Sequence, residues 1–113
     1  KLAGVMALST YLPLAESFAK EATPVNAKTP VFMAHGTEDP VVVLRRGEES
    51  RDALARLGHP VQWHTYPMPH SVHPREVVDI AAFLRQVEVQ LRCLHTSTWA
   101  NQLSAWVSRC MAN

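Results

Sequence analysis

The stretch from Pro30 to Val43 constrains the fold more than any other part of this 113-residue chain. It begins with a short apolar run that ends at His35, which is typical of a buried β-strand. A turn follows and carries Asp39 just past the carboxyl end of that strand. Because open α/β sheets keep their ligand sites at this end of their strands, Asp39 is a candidate for chemistry.

A second strand is predicted from Val61 to Tyr66, where apolar and polar residues alternate as in a half-solvated edge strand. The loop after it carries His70, between two prolines and the next helix. An acid and then a histidine, each after its own strand, is the second half of the order Ser…Asp…His found in α/β-hydrolases. His73 is chemically equivalent to His70 from sequence alone, but Pro74 directly after it indicates a helix-entry residue.

Two helices are predicted around these strands. The first runs from about Val42 to Leu57, with Gly58 as its stop. The second opens at Pro74. The expected buried residues are Val43, Gly47, Ser50, Leu54 and Leu57 on the first, and Val77, Ile80, Ala81, Leu84, Val87 and Leu91 on the second.

The segment from Leu2 to Ser9 is an almost continuous apolar run, which suits a strand covered on both faces. One helical turn is expected between Ala15 and Ala22. The resulting order of strand, loop, strand, helix, strand, helix predicts an α/β fold in which parallel strands are flanked by helices.

Residues 92–113 form a tail whose sequence pattern differs from that of the domain predicted at 1–91. Thr96 or Ser97 could cap a further amphipathic helix with apolar residues at Trp99, Leu103, Trp106, Val107 and Cys110. We expect such a helix to cover exposed core rather than to anchor in a membrane surface, because Arg109 is the only charge on its polar face.

Composition narrows the possible partners. An apolar fraction of 47% and a charged fraction of 19% fit a soluble globular protein. Eleven basic against ten acidic residues give a net charge of +1, which offers no case for a nucleic-acid or anionic-membrane partner. No run approaches the ~18 apolar residues of a membrane span. Cys93 and Cys110 show no close spacing, which favours a reducing compartment and predicts a cytoplasmic protein.

Six histidines in one small chain raise the question of a metal site. His70 and His73 could share an ion, but no third ligand stands at a recognisable offset. Cys93 and His95 lie beyond an entire predicted helix. We therefore expect neither a metal nor an organic cofactor.

The nucleophile is missing from the pattern. No serine has the flanking glycines of a Gly-x-Ser-x-Gly elbow, and neither cysteine is placed to substitute. A base with its orienting acid cannot transfer an acyl group without a nucleophile to activate. The serines concerned are Ser9, Ser17, Ser50, Ser71, Ser97, Ser104 and Ser108.

Four segments together resemble the phospholipase/carboxylesterase family, which includes bacterial carboxylesterases and acyl-protein thioesterases. They are Leu2–Pro13, His35–Val42, Tyr66–Val72 and Glu76–Ile80, in the order and spacing of that family. The resemblance covers about residues 2 to 88 and implies the C-terminal half of an α/β-hydrolase. A methionine-proline pair before the histidine departs from the family's usual glycine there.

By matching motifs, the resemblance implies that Asp39 is the triad acid and His70 the triad base. It also places Tyr11 and Leu12 where the family lines its acyl pocket. Family members are about twice as long as this chain, so their serine elbow and both oxyanion-hole donors would lie upstream of Lys1.

Three functional interpretations remain open at this stage. The first is a serine carboxylesterase acting on small-molecule esters or acyl thioesters, of which this chain holds the acid–base half and is inactive alone. The second is a related hydrolase, such as a dienelactone hydrolase with a cysteine nucleophile. The third is a non-catalytic fragment, whose bare first strand invites association and a homodimer.

Overall fold

The computed structural model describes the backbone of residues 1–110 and the side chains of residues 1–93. Three strands and three α-helices alternate along the chain, with a short 3₁₀ turn at Pro24–Asn26. In chain order they are β1 (Val5–Leu8), α1 (Ala15–Glu21), β2 (Val31–Gly36), α2 (Leu44–Arg56), β3 (Val61–Tyr66) and α3 (Pro74–Cys110).

The three strands form one parallel sheet in the order β1-β2-β3, which confirms the predicted α/β architecture. Val31 of β2 pairs with Val5 of β1 and with Val61 of β3, and β3 forms an edge as its alternating sequence predicted. Since the strands are parallel, their carboxyl ends meet at one rim. The loops that carry Asp39 and His70 both start there.

The core lies on the two faces of β2, whose residues are all buried. On one face, Phe32 and Ala34 pack with Phe83 and Val87 of α3. The Phe32 and Phe83 ring centroids are 5.5 Å apart. On the other face the sheet contacts α2, so helices pack on both faces of the sheet.

The expectation that the first strand is covered on both faces is wrong. In β1 the exposed fractions of Val5, Met6 and Leu8 are 37%, 44% and 39%. β1 pairs only with β2, and its other edge has no strand beside it among residues 1–110. A continuous apolar run shows that a strand could be buried on both faces, but other elements have to pack against those faces for burial to occur.

The helices bury narrower stripes than their sequences predicted. On α2, Gly47 and Ser50 are buried as expected, whereas Val43 and Leu57 are exposed because they lie just outside the helix ends. On α3 the buried residues of the first four turns are Glu76, Phe83 and Val87, while Val77, Leu84 and Leu91 are exposed. The predicted stripe is therefore turned by about one residue, because the bulky Phe83 takes the place against Phe32.

The backbone of α3 continues without a break from Pro74 to Cys110, so a helix does not begin again at Thr96 or Ser97. The apolar side chains predicted to pack along that tail, from Trp99 to Cys110, lie outside the residues whose side chains are described. No helix in the described part of the chain combines the length and apolarity that crossing a membrane requires.

Candidate active site

Asp39 lies in the turn after β2, and the turn's own backbone holds its carboxylate. Its Oδ1 accepts hydrogen bonds from the backbone N–H groups of Val41 and Val42, at 2.8 and 2.9 Å. An aspartate that bonds the backbone two and three residues ahead is typical turn chemistry before a proline, here Pro40. The side chain is fully buried, so the second oxygen, Oδ2, is held in place and shielded from water.

His70 meets that second oxygen. The distance from His70 Nδ1 to Asp39 Oδ2 is 2.8 Å, and the His70 side chain remains 43% exposed. Because Asp39 accepts at Oδ2, the imidazole donates from Nδ1, and Nε2 is then the nitrogen that can take up a proton. A buried acid orients an accessible imidazole at the carboxyl rim of the sheet.

The loops of β2 and β3 are joined by backbone hydrogen bonds that fix the distance between the two side chains. Thr37 N–H donates to the Tyr66 carbonyl (2.9 Å) and Glu38 N–H to the Met68 carbonyl (3.2 Å). Gly36 makes this approach possible, since a Cβ there would lie 2.3 Å from the Met68 oxygen and 2.6 Å from that of Pro69. The glycine is required by the neighbouring loop, which local sequence did not reveal.

Burial and hydrogen bonding act in opposite directions on the Asp39 carboxyl. Burial raises its pKa, but the Val42 N–H, the His70 imidazole and the Val41 N–H favour the charged form, and the net pKa lies below the ordinary value. Asp39 is therefore ionised at neutral pH. An ionised carboxylate bonded to an imidazole can stabilise the positively charged form of that ring.

His73, the other histidine of this loop, has a structural role. Its Nδ1 accepts the backbone N–H of Arg75 (3.1 Å), and its own N–H donates to the buried Glu76 carboxylate (3.2 Å). These contacts satisfy donors at the start of α3, as the helix-entry interpretation predicted. Residues 1–93 contain no group of three or more His, Cys, Asp or Glu side chains that could hold a metal ion.

Tyr11 and Leu12 line a cavity of about 400 Å³ that lies apart from the acid and the histidine. Arg46 lies over the Tyr11 ring, 4.9 Å from its centroid, and Leu12 N–H donates to Ser50 Oγ. Neither Asp39 nor His70 lines the cavity. The wall also includes Val5, Phe18, Val31, Met33 and Leu54, so it extends along the sheet toward the amino ends of the strands.

One residue beside the site was not a candidate in the sequence analysis. His35 is buried and donates from Nε2 to the Val42 carbonyl at 2.7 Å, and the same nitrogen lies 3.8 Å from Asp39 Oδ2. The available signal was Gly47, a glycine inside a helix, because a Cβ there would lie 2.7 Å from His35 Nδ1.

A parallel sheet with helices on both faces, and an acid bonded to a histidine on adjacent loops at its carboxyl rim, defines the α/β-hydrolase class. Solved structures agree with this assignment. Zea mays acyl-protein thioesterase 2 superposes with a TM-score of 0.70 at 30% identity, over 77% of this chain and 41% of that one. Arabidopsis thaliana SOBER1 gives 0.72 at 26% identity, over 77% and 42%.

Within that class the chain belongs to the phospholipase/carboxylesterase family, whose model matches residues 1–88. Acyl-protein thioesterase 1 of Gibberella zeae is 46% identical over 89 residues, which make up 76% of this chain and 38% of that protein. The Mycosarcoma maydis protein of the same name is 47% identical over 91 residues, with the same coverage. The chain thus spans less than half the length of these curated relatives.

Proposed function

We propose that this chain supplies the acid and the base of a hydrolase that cleaves small-molecule carboxylic esters or acyl thioesters. The observation that carries the proposal is the 2.8 Å bond from His70 Nδ1 to the buried, ionised Asp39. This bond fixes the imidazole's tautomer and leaves Nε2 for the nucleophile's proton. Membership of the hydrolase family and the names of the thioesterase relatives support the reaction class.

In the proposed reaction a serine hydroxyl attacks the acyl carbonyl while His70 Nε2 removes its proton. The carbon–oxygen or carbon–sulfur bond to the leaving group breaks, and His70 returns the proton to that group. Water, deprotonated by the same nitrogen, then releases the acid and restores the serine. Asp39 holds the ring and balances its positive charge throughout. Neither a metal nor an organic cofactor enters these steps.

The serine is the component that the described residues do not provide. Ser50, the buried candidate, donates its hydroxyl to the Arg46 carbonyl and accepts from the Leu12 N–H, so its hydroxyl holds α2 to the segment after β1. The chain has no glycine-flanked serine. We therefore expect residues 1–93 to need a nucleophile from another polypeptide segment, and the chain alone to be inactive. A cysteine in that position would give the dienelactone-hydrolase alternative.

Tyr11 and Leu12 are proposed to contact the acyl group once the remaining wall of the site is present. We further propose that the protein is cytoplasmic and that it forms a homodimer paired through β1. The first rests on the spacing of Cys93 and Cys110, and the second on the open strand edge.

The decisive experiment is a chimera in which residues 1–88 replace the matching segment of the Gibberella zeae thioesterase. We expect it to hydrolyse p-nitrophenyl acetate and an acyl thioester. His70→Ala and Asp39→Asn should each reduce kcat by about 10⁴-fold, because the imidazole is lost or held in the wrong tautomer. His73→Ala is the matched control from the same loop and should retain most of the activity.

A folded chimera whose turnover survives both Asp39→Asn and His70→Ala would contradict the proposal. A folded chimera without any turnover would favour the non-catalytic interpretation. The isolated chain, assayed beside it with the same ester, should show no turnover above that of its own His70→Ala variant.

A further inference from the structure

His35 makes a contact that packing alone does not require. Its ring is 1% exposed, and its Nε2 lies 2.7 Å from the carbonyl oxygen of Val42. Since a carbonyl only accepts, Nε2 carries the proton and donates it. Burying an imidazole costs free energy that an apolar side chain of similar size would not, so this hydrogen bond offsets a real penalty.

Val42 is thereby held at both of its backbone polar groups. Its N–H donates to Asp39 Oδ1 at 2.9 Å, and its carbonyl accepts from His35 at 2.7 Å. His35 itself is fixed in the sheet, where it pairs with Thr65 of β3. The contacts form a chain from the sheet through Val42 to the carboxylate of Asp39, and we call this chain of three residues the acid brace.

The brace leaves the working oxygen of Asp39 free for His70. The distance from His35 Nε2 to Asp39 Oδ2 is 3.8 Å, longer than a hydrogen bond, whereas His70 Nδ1 reaches the same oxygen at 2.8 Å. His35 thus acts on the carboxylate through Val42 and does not compete for it.

Gly47 leaves room for the His35 ring. Gly47 is the fourth residue of α2, inside the helix, where glycine costs up to about 1 kcal/mol relative to alanine. A Cβ at this position would come within 2.7 Å of His35 Nδ1 and 2.9 Å of Trp63 Cη2. The helix therefore gives up intrinsic stability at the one place where the imidazole needs room.

We propose that His35 is a positioning residue, which fixes Asp39 through Val42 so that Oδ2 stays aligned with His70. The inference rests on the proposed function for its catalytic meaning, but the alignment it describes is measurable without any substrate.

The first test uses the unmodified chain and imidazole nitrogen–proton correlation spectra. The brace requires His35 to be the Nε2–H tautomer and His70 the Nδ1–H tautomer, which such spectra distinguish. A correlation through the hydrogen bond from His35 Nε2 to the Val42 carbonyl carbon is expected as well. A His35 found protonated at Nδ1 alone would overturn the proposal whatever any variant does.

The second test compares two amides that differ in reach. The Nε2 of glutamine in His35→Gln can stand where the imidazole Nε2 stands and donate to Val42, whereas His35→Asn ends one bond shorter. We expect His35→Gln to keep the proton signal between His70 and Asp39. In His35→Asn that proton should exchange with solvent about tenfold faster or its signal should vanish, as the loss of one buried hydrogen bond predicts.

In the chimera described above, His35→Asn should lower kcat about tenfold with KM nearly unchanged, and His35→Gln should restore it. A folded His35→Asn variant with an unchanged His70 proton signal would overturn the brace. If Asp39→Asn left turnover intact while the His35 variants shifted the signal as expected, the proposed function would fail and the brace would stand. Circular dichroism identifies any unfolded variant, and the tautomer measurement then decides.

Discussion

The strands β1 and β2 lie side by side in register and have similarly apolar sequences, yet their surroundings differ completely. All six residues of β2 are buried, whereas three of the four residues of β1 are exposed. The contacts that align Asp39 with His70 come from β2, β3 and their loops, and none comes from β1. The acid–histidine pair is therefore held in place while the neighbouring edge of the sheet stays open.

The largest expected effect contrasts two register partners, Phe32 of β2 and Met6 of β1. Phe32 is fully buried, so Phe32→Ala should lower the free energy of unfolding by about 3–5 kcal/mol. Met6 is 44% exposed, and Met6→Ala should cost about 1 kcal/mol or less. Urea denaturation of both variants gives the comparison. Equal losses would mean that β1 is as well covered in solution as β2.

Two glycines give the next contrast. Alanine at Gly36 would meet the Met68 and Pro69 backbone oxygens, so Gly36→Ala should cost about 2–3 kcal/mol and separate His70 from Asp39. Alanine at Gly4 would meet side-chain atoms of Phe83 and Val87 at 3.1 and 3.2 Å, a milder clash than the one with backbone at Gly36. Gly4→Ala should therefore cost less than Gly36→Ala and leave the His70–Asp39 bond in place. Urea denaturation and the His70 proton signal measure both effects, and a Gly36→Ala variant that keeps the signal would contradict the stated role of Gly36.

Local signals predicted a large part of this structure. The bounds of β3 and the start of α3 follow from the alternation after Val61 and from Pro74, because both depend on neighbouring residues. The place of Asp39 after a strand predicts that it lies at the carboxyl rim of the sheet, where the structure has it bonded to His70. The contact of His35 with Val42, and that of Gly36 with the loop at Met68, form only when the chain has folded, so local sequence does not reveal them. The face that α3 buries depends on the Phe32 ring, and the sequence pattern of a helix alone does not contain that information.

The stabilising contribution of the Asp39 carboxylate should be lost in acid. The folded-state pKa of Asp39 lies below its ordinary value of 3.8, so its charged form stabilises the fold above that pH, and this contribution is lost as the pH falls through the lower folded value. Asp39→Asn should therefore be less stable than the native chain at neutral pH, with the gap narrowing below about pH 4.

Thermal unfolding across the acid range measures that gap. Asp52→Asn is the control, because Asp52 pairs with Arg51 at the surface, and its contribution should be small and removed by salt. Parallel curves for native and Asp39→Asn chains would show that the Asp39 carboxylate is not stabilised in the folded state.

The smallest expected effect, and the only stabilising one, lies on the open side. Leu14 has φ 54° and ψ 48°, a left-handed conformation that is strained for any residue with a Cβ, and its side chain is 77% exposed. Leu14→Gly should therefore raise the free energy of unfolding by up to about 1 kcal/mol, since it relieves strain and removes few contacts. Leu14→Ala keeps the strain and should change stability little, which separates backbone relief from the loss of the side chain.

Ser9, at φ 48°, is the other non-glycine residue with positive φ in the described chain, and it also belongs to the β1 side. If Leu14→Gly were destabilising, the leucine would make contacts in solution that the exposed side of the sheet does not show. The contrast between the open side and the acid–histidine rim would then be smaller than the structure indicates.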